Sequence, residues 1–207
     1  MNRKDIFYYK KRKSISHRNI KDTILIVCEG EQTEPNYFRA FSKNHRLKID
    51  VEIEGTGYNT DSLVKKAIKF KEEKEQIKKP YIEIWCVFDR DDFEKVNFNN
   101  AFELAKQNGI KIAYSIECFE LWYLLHFEYM KSAISRQQYI EKLNELMPEK
   151  YKKNNLRTYF LLKDKQNIAI KNAKKLLDEY HSERLYDRNP STTVFQLVER
   201  LNEYIEL

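Results

Sequence analysis

An acidic residue follows each of two apolar runs in this sequence. The run over 23–28 ends in Cys28 and gives way to Glu29-Gly30, and the run over 82–88 gives way to Asp89-Arg90-Asp91-Asp92. If both runs are strands of an α/β sheet, Glu29, Asp89 and Asp91 meet in the crevice at its carboxyl edge. Residues two apart in a D-x-D pair can both face one ion as strand becomes loop. Carboxylates so close repel one another unless a cation sits between them, and hard oxygen ligands suit Mg²⁺ or Mn²⁺. A cation held there would polarise a phosphoryl oxygen and activate water, with Glu29 as ligand or general base. Glu31, Glu34 and Asp92 stand nearby as outer or simply exposed acids.

The elements that must position these acids alternate in type. Strands are expected over 23–28, 49–54, 82–88 and 110–115, and helices over 34–43, 60–79 and 98–107. Pro35 lies early in the first helix, where a missing N–H costs nothing. Pro80 stops the second helix, and Asn108-Gly109 closes the third. The β-α-β-α-β-α-β order argues a mainly parallel sheet of about four strands flanked by helices. Gly30, Gly55 and Gly57 all fall at carboxyl ends of strands, where a ligand must approach the backbone closely. The segment Gly55-Thr56-Gly57-Tyr58-Asn59-Thr60 leads into a helix N-terminus, which could hold a phosphate or be an ordinary βα turn.

Beyond residue 119 the pattern is mostly helical. The stretch 119–127 is apolar nearly all round and reads as a buried helix. Within it Glu120 is conspicuous, because a buried carboxylate needs a partner. Glu120 either reaches the acidic edge or sits exposed at the helix start, near the favourable end of its dipole. Glu117, one turn earlier, could share its face. His126 reads as a core histidine rather than a base. Residues 167–180 carry an apolar stripe, Pro190-Ser191-Thr192-Thr193-x-x-Gln196 resembles a capped start, and the last helix turns Val194, Leu197, Val198, Leu201 and Ile205 inward. The expected organisation is a basic arm over 1–21, an α/β domain over 22–130 and a helical extension packed on it over 131–207.

Composition sets the class. The 207 residues include 42% hydrophobic and 14% aromatic types, enough for a real core. The net charge of +6 is unevenly placed: residues 1–21 hold eight Lys and Arg against Asp5 alone, leaving the remainder at −1. Lys10, Lys11, Arg12 and Lys13, beside Phe7, Tyr8 and Tyr9, could contact a nucleic-acid backbone and stack on bases. The same arm could equally be a solubilising, disordered terminus. No apolar run approaches the ~18 residues of a membrane span, and no apolar stretch of targeting type follows the basic start. Cys28, Cys86 and Cys118 read as buried thiols of a cytoplasmic protein. Neither a zinc spacing, a G-x-S-x-G elbow, a P-loop nor a G-x-G-x-x-G is present, which argues against zinc sites, hydrolase triads, NTPases and dinucleotide enzymes.

Four motifs then coincide. Ile26-Val27-Cys28-Glu29-Gly30-Glu31-x-Thr33-Glu34-Pro35-x-Tyr37-Phe38, Phe88-Asp89-x-Asp91, Cys118-Phe119-Glu120-Leu121-Trp122-x-Leu124-Leu125-His126-Phe127 and Asn189-Pro190-Ser191-Thr192 together closely resemble the RloB-like family. That family looks like a divergent Toprim domain, the metal-binding fold of topoisomerases, bacterial primases and OLD-type nucleases. The resemblance implies Mg²⁺ on Glu29, Asp89 and Asp91, phosphodiester chemistry, and a role in phage defence beside an RloA-like ATPase partner. Toprim effectors often act as assemblies, so a homo-oligomer is also implied. Where the family commonly has Asn-Pro before Cys-Phe-Glu, this chain has Ile116 and Glu117.

Three functions remain open at this point. The first is a metal-dependent nuclease on DNA or RNA, with an activity that could be latent, whose backbone grip comes from the arm and from residues 150–157. The second is a non-catalytic nucleic-acid or partner-binding module serving an ATPase. The third is a haloacid-dehalogenase type of phosphohydrolase using Asp89 as nucleophile; D-x-D on the third strand with Glu29 on the first argues against it.

Overall fold

At the centre of the sheet lies β1 (Thr23–Cys28), whose residues Ile24 to Cys28 have no solvent contact in the computed structural model. The structure describes residues 21–58, 60–90, 95–180, 184 and 187–206, without the side chains of 95–97. Lys10, Lys11, Arg12, Lys13 and Asp91 therefore lie outside the described residues. After β1 come α1 (Thr33–Asn44), β2 (Asp50–Gly55), α2 (Thr60–Gln76), β3 (Glu83–Arg90), α3 (Lys95–Gln107) and β4 (Lys111–Ile116). The strands form one parallel sheet in the order β2-β1-β3-β4. Chain direction across the sheet reverses between β1 and β3, and ligands of such sheets bind outside the carboxyl ends of the strands at that point.

Strand alternation builds two cores. Leu25 and Val27 of β1 face α2, through Leu63, Val64 and Ala67, and α3, through Phe98, Ala101 and Ala105. Ile24, Ile26 and Cys28 face the other way, onto Tyr37, Phe38 and Phe41 of α1. This second core continues without a break into α4 (Glu120–Leu124), α5 (Arg136–Leu146), α6 (Thr158–Leu162), α7 (Gln166–Asp178) and α8 (Val194–Asn202), a 3₁₀ turn (Lys163–Lys165) linking α6 to α7 outside it. All three cysteines are buried free thiols. Among the described residues no helix is long and apolar enough to cross a membrane.

Small departures from the expected elements have local causes. The N–H of Ile110 closes α3 by donating to Ala105 O at 2.9 Å, with Gly109 at φ +67, so the β4 ladder begins one residue later. Asp89 and Arg90 pair with Ser115 and Ile116, so β3 runs two residues further than expected. The expected cap of the last helix has another use: Thr193 Oγ1 makes no cap bond but accepts the N–H of Tyr114 at 3.0 Å. Its neighbour Ser191 accepts the N–H of Ile116, and Ser115 Oγ bonds Thr192 Oγ1 at 3.0 Å, so this segment covers the open edge of β4. Conversely, Ser135 and Gln138 form a full capping box at the start of α5, an element hidden within a stretch read only as mostly helical.

Candidate active site

The turn after β1 is clamped from both sides. Glu29 donates its N–H to Val87 O of β3 at 2.9 Å. On the other side, the amides of Thr56 and Gly57 donate to Cys28 O and Glu29 O, and Thr56 Oγ1 reinforces the first. Those two amides, in the loop read as either a phosphate cradle or an ordinary βα turn, are thus turned inward. The glycines make the clamp possible: a Cβ at Gly55 would lie 2.8 Å from Pro35 Cγ and 2.9 Å from Gly30 O, and Gly57 adopts φ +65.

Five acids line the pocket beside this turn: Glu29, Glu31, Glu34, Asp89 and Glu120. Asp89 closes on Glu29 directly, its N–H donating to Glu29 Oε2 at 3.3 Å. Glu34, in the first turn of α1, is 4% exposed and lies over Gly30, where a Cβ would come within 2.2 Å of its Oε2. Glu120, at the start of α4, is 2% exposed and accepts the Tyr151 hydroxyl at 2.8 Å. The cavity they line measures about 410 Å³ and also receives Arg136 and Lys153 from the extension.

The electrostatics follow from this crowding. Burial, reinforced by the charges of Glu34, Glu120 and Glu29, holds the Asp89 carboxyl well above the usual carboxylate range. Burial, with Glu120 adding to it, pushes Glu34 up to about 7. Burial and then the Glu120 charge also push the Cys118 thiol up, so it stays neutral. Asp89 Oδ1 and Glu34 Oε2 are both buried without a hydrogen-bond partner. Buried orphan oxygens of this kind ask for a proton or a cation. The donor set is all oxygen, and it fits Mg²⁺ or Mn²⁺ in its chemistry. Among the described residues no three His, Cys, Asp or Glu side chains already converge on one point, Asp91 lying outside them.

The other candidates sort as follows. Glu117 does not share the pocket; it sits in the turn after β4 at φ +77, its N–H on Arg90 O and its carbonyl accepting Arg136 Nη2 at 3.0 Å. His126 is a core residue. Its Nδ1 bonds Trp122 O at 2.9 Å, and burial lowers its pKa to about 4, so the ring is neutral. Glu31 is exposed. Glu34 had a readable signal, because it falls on the α1 face of Tyr37, Phe38 and Phe41, where a carboxylate has no place by hydropathy. Arg136 and Tyr151 carried none, since only the packing of the extension brings them here.

Fold and pocket together define an α/β protein with an acidic crevice at the switch point of a parallel sheet. Within that class the chain belongs to the RloB-like protein family, whose model matches residues 24–201. The match runs from β1 into α8 and takes in all five pocket acids. Comparison with curated proteins gave no match.

Proposed function

We propose that the chain is a Toprim-type, metal-dependent nuclease that cleaves phosphodiester bonds of DNA or RNA in defence against phage. The observation that carries this reading is the pair of buried, unpartnered oxygens, Asp89 Oδ1 and Glu34 Oε2, at the sheet's switch point. Glu29 and Asp89, with Asp91 beyond the described residues, would hold Mg²⁺ or Mn²⁺. The bound metal would polarise the phosphoryl oxygen and activate water. Glu29 is oriented by the Asp89 N–H on Oε2, and Glu120 by the Tyr151 hydroxyl on Oε1. Phe119 and the buried face of α4 keep bulk water from one side of the pocket. Defence, an RloA-like ATPase partner, self-assembly and a cytoplasmic setting come with the family resemblance.

A second reading, a binding module without turnover that serves an ATPase, draws on the lack of three converged ligands among the described residues. Both are tested by incubating labelled plasmid, single-stranded DNA and total tRNA with the purified chain in Mg²⁺, Mn²⁺ or EDTA. The nuclease reading expects metal-dependent cleavage that vanishes in Asp89→Asn. Metal and nucleic-acid binding without cleavage, persisting when the partner ATPase is added, would favour the module.

A further inference from the structure

Besides its acids the pocket is lined by two cations, Arg136 and Lys153, and both come from beyond residue 130. Arg136 opens α5 directly after the Ser135 cap, and Lys153 lies in the loop that follows the same helix. Both are held by one frame. Tyr151 donates its N–H to Asn144 Oδ1 of α5 at 2.8 Å and its hydroxyl to Glu120, so Lys153 stands two residues from a point fixed at both ends. Arg136 is aimed by its bond to Glu117 O, for which Glu117 adopts the left-handed backbone that non-glycine residues avoid. Strain retained at such a place points to a geometric task.

We propose that Arg136 and Lys153 are the phosphate-gripping residues of this pocket, holding a polynucleotide phosphodiester against the acidic wall; the identity of the ligand rests on the nuclease reading. Lys153 is exposed, forms no ion pair among the described residues, and still lines the pocket together with Glu34. A structural counter-ion would have closed onto the acid. A phosphate bridging to a cation on the acids satisfies both walls at once: the acids take the metal, and the guanidinium fork and ammonium take non-bridging oxygens. Within the basic connection over 150–157, this singles out one residue. Arg157 is turned onto Glu149 at 3.7 Å, and Lys152, also exposed, does not line the pocket.

The test is fluorescence anisotropy of a labelled short single-stranded oligonucleotide, as DNA and as RNA, with the full chain across a salt series in Ca²⁺, a hard cation that takes the same carboxylate oxygens. Lys153→Ala should weaken binding on the order of three- to tenfold and lower the log–log salt slope by about 0.7, as loss of one single-strand phosphate contact does. Lys153→Arg should restore both, Lys152→Ala should do much less, and Arg136→Lys should fall between wild type and Arg136→Gln. Unchanged slopes in Lys153→Ala and Arg136→Gln would overturn the proposal, as would equal losses in Lys152→Ala and Lys153→Ala. Because turnover is not read, a chain that cleaves nothing yet shows the Lys153 pattern keeps the grip and loses the nuclease reading. A chain that cleaves with unaltered variants does the reverse.

Discussion

The Tyr151 hydroxyl donates to Glu120 Oε1 at 2.8 Å, and through this bond the helical extension holds a carboxylate of the sheet's acidic crevice. Tyr151 is 5% exposed and packs edge-on against Tyr123, whose own hydroxyl reaches Thr33 O in the α1 turn. The extension is therefore a wall of the pocket. Tyr151→Phe keeps the ring packing but leaves the buried Glu120 one donor short. We expect a loss of about 1–3 kcal/mol, the cost of a buried polar group left unsatisfied, read by urea denaturation. An unchanged midpoint would mean that the bond does not fix Glu120.

Glu34 gives the apo protein a pH dependence of definite sign. Its pKa rises from an ordinary 4.5 to about 7. The folded state thus binds the proton more tightly than the unfolded chain. Its stabilising contribution is complete below about pH 4.5 and is lost as pH rises through about 7. Glu34→Gln should then raise stability in EDTA at pH 8 by about 2–3 kcal/mol and change little at pH 4.5. Thermal melts of both forms across this range test it; a gain at low pH with none at pH 8 would contradict the assignment.

How far the sequence carried is clearest at these acids. Glu29 and Asp89 were legible because each ends an apolar run, and the alternation of strand and helix patterns placed both runs in one parallel sheet. The order β2-β1-β3-β4 put their ends side by side, as the crevice argument required. Glu120 was legible as a polar intrusion in an apolar stretch. Glu34 was legible only as an outer or simply exposed acid, although its neighbours at helical spacing marked the inward face. Arg136 could not be read at all, and Lys153 only as one of several basic residues over 150–157, because both arrive through long-range packing of α5 and its following loop. The capped start before α8 misled for a related reason: Thr193 finds a better partner in β4, and no local pattern reports a tertiary competitor.

Two glycine substitutions should separate packing from chemistry. In Gly30→Ala the three atoms nearest the new methyl all belong to the end of the flexible Glu34 side chain rather than to backbone. That protein should fold with a modest loss of about 1–2 kcal/mol yet bind Mn²⁺ more weakly, because a pocket acid has been displaced. In Gly55→Ala the methyl meets Gly30 O at 2.9 Å and Glu31 Cα at 3.0 Å, so the backbone itself must move. The expected loss is larger, about 3 kcal/mol or more, at the upper end of what overpacking costs. Denaturation midpoints and Mn²⁺ titrations of the two variants side by side make the comparison.

Asp89 offers the sharpest separation of metal binding from folding. Its carboxyl is crowded by Glu34, Glu120 and Glu29, and in the absence of a cation that crowding opposes the fold. Asp89→Asn keeps the shape and the N–H bond to Glu29 while removing the charge. In EDTA the variant should melt at or above the wild-type temperature, because a like-charge repulsion is gone. With Mn²⁺ at a hundred times its Kd, the wild type should gain about 2.7 kcal/mol by mass action, a rise of roughly 5–10 °C for a chain of this size. Asp89→Asn should show little of that rise. The two effects have opposite signs on one residue, and a merely structural Asp89 cannot produce both. If Mn²⁺ raised the melting temperature of wild type and variant equally, the cation would be binding elsewhere, and the acidic crevice would lose its claim to be the metal centre.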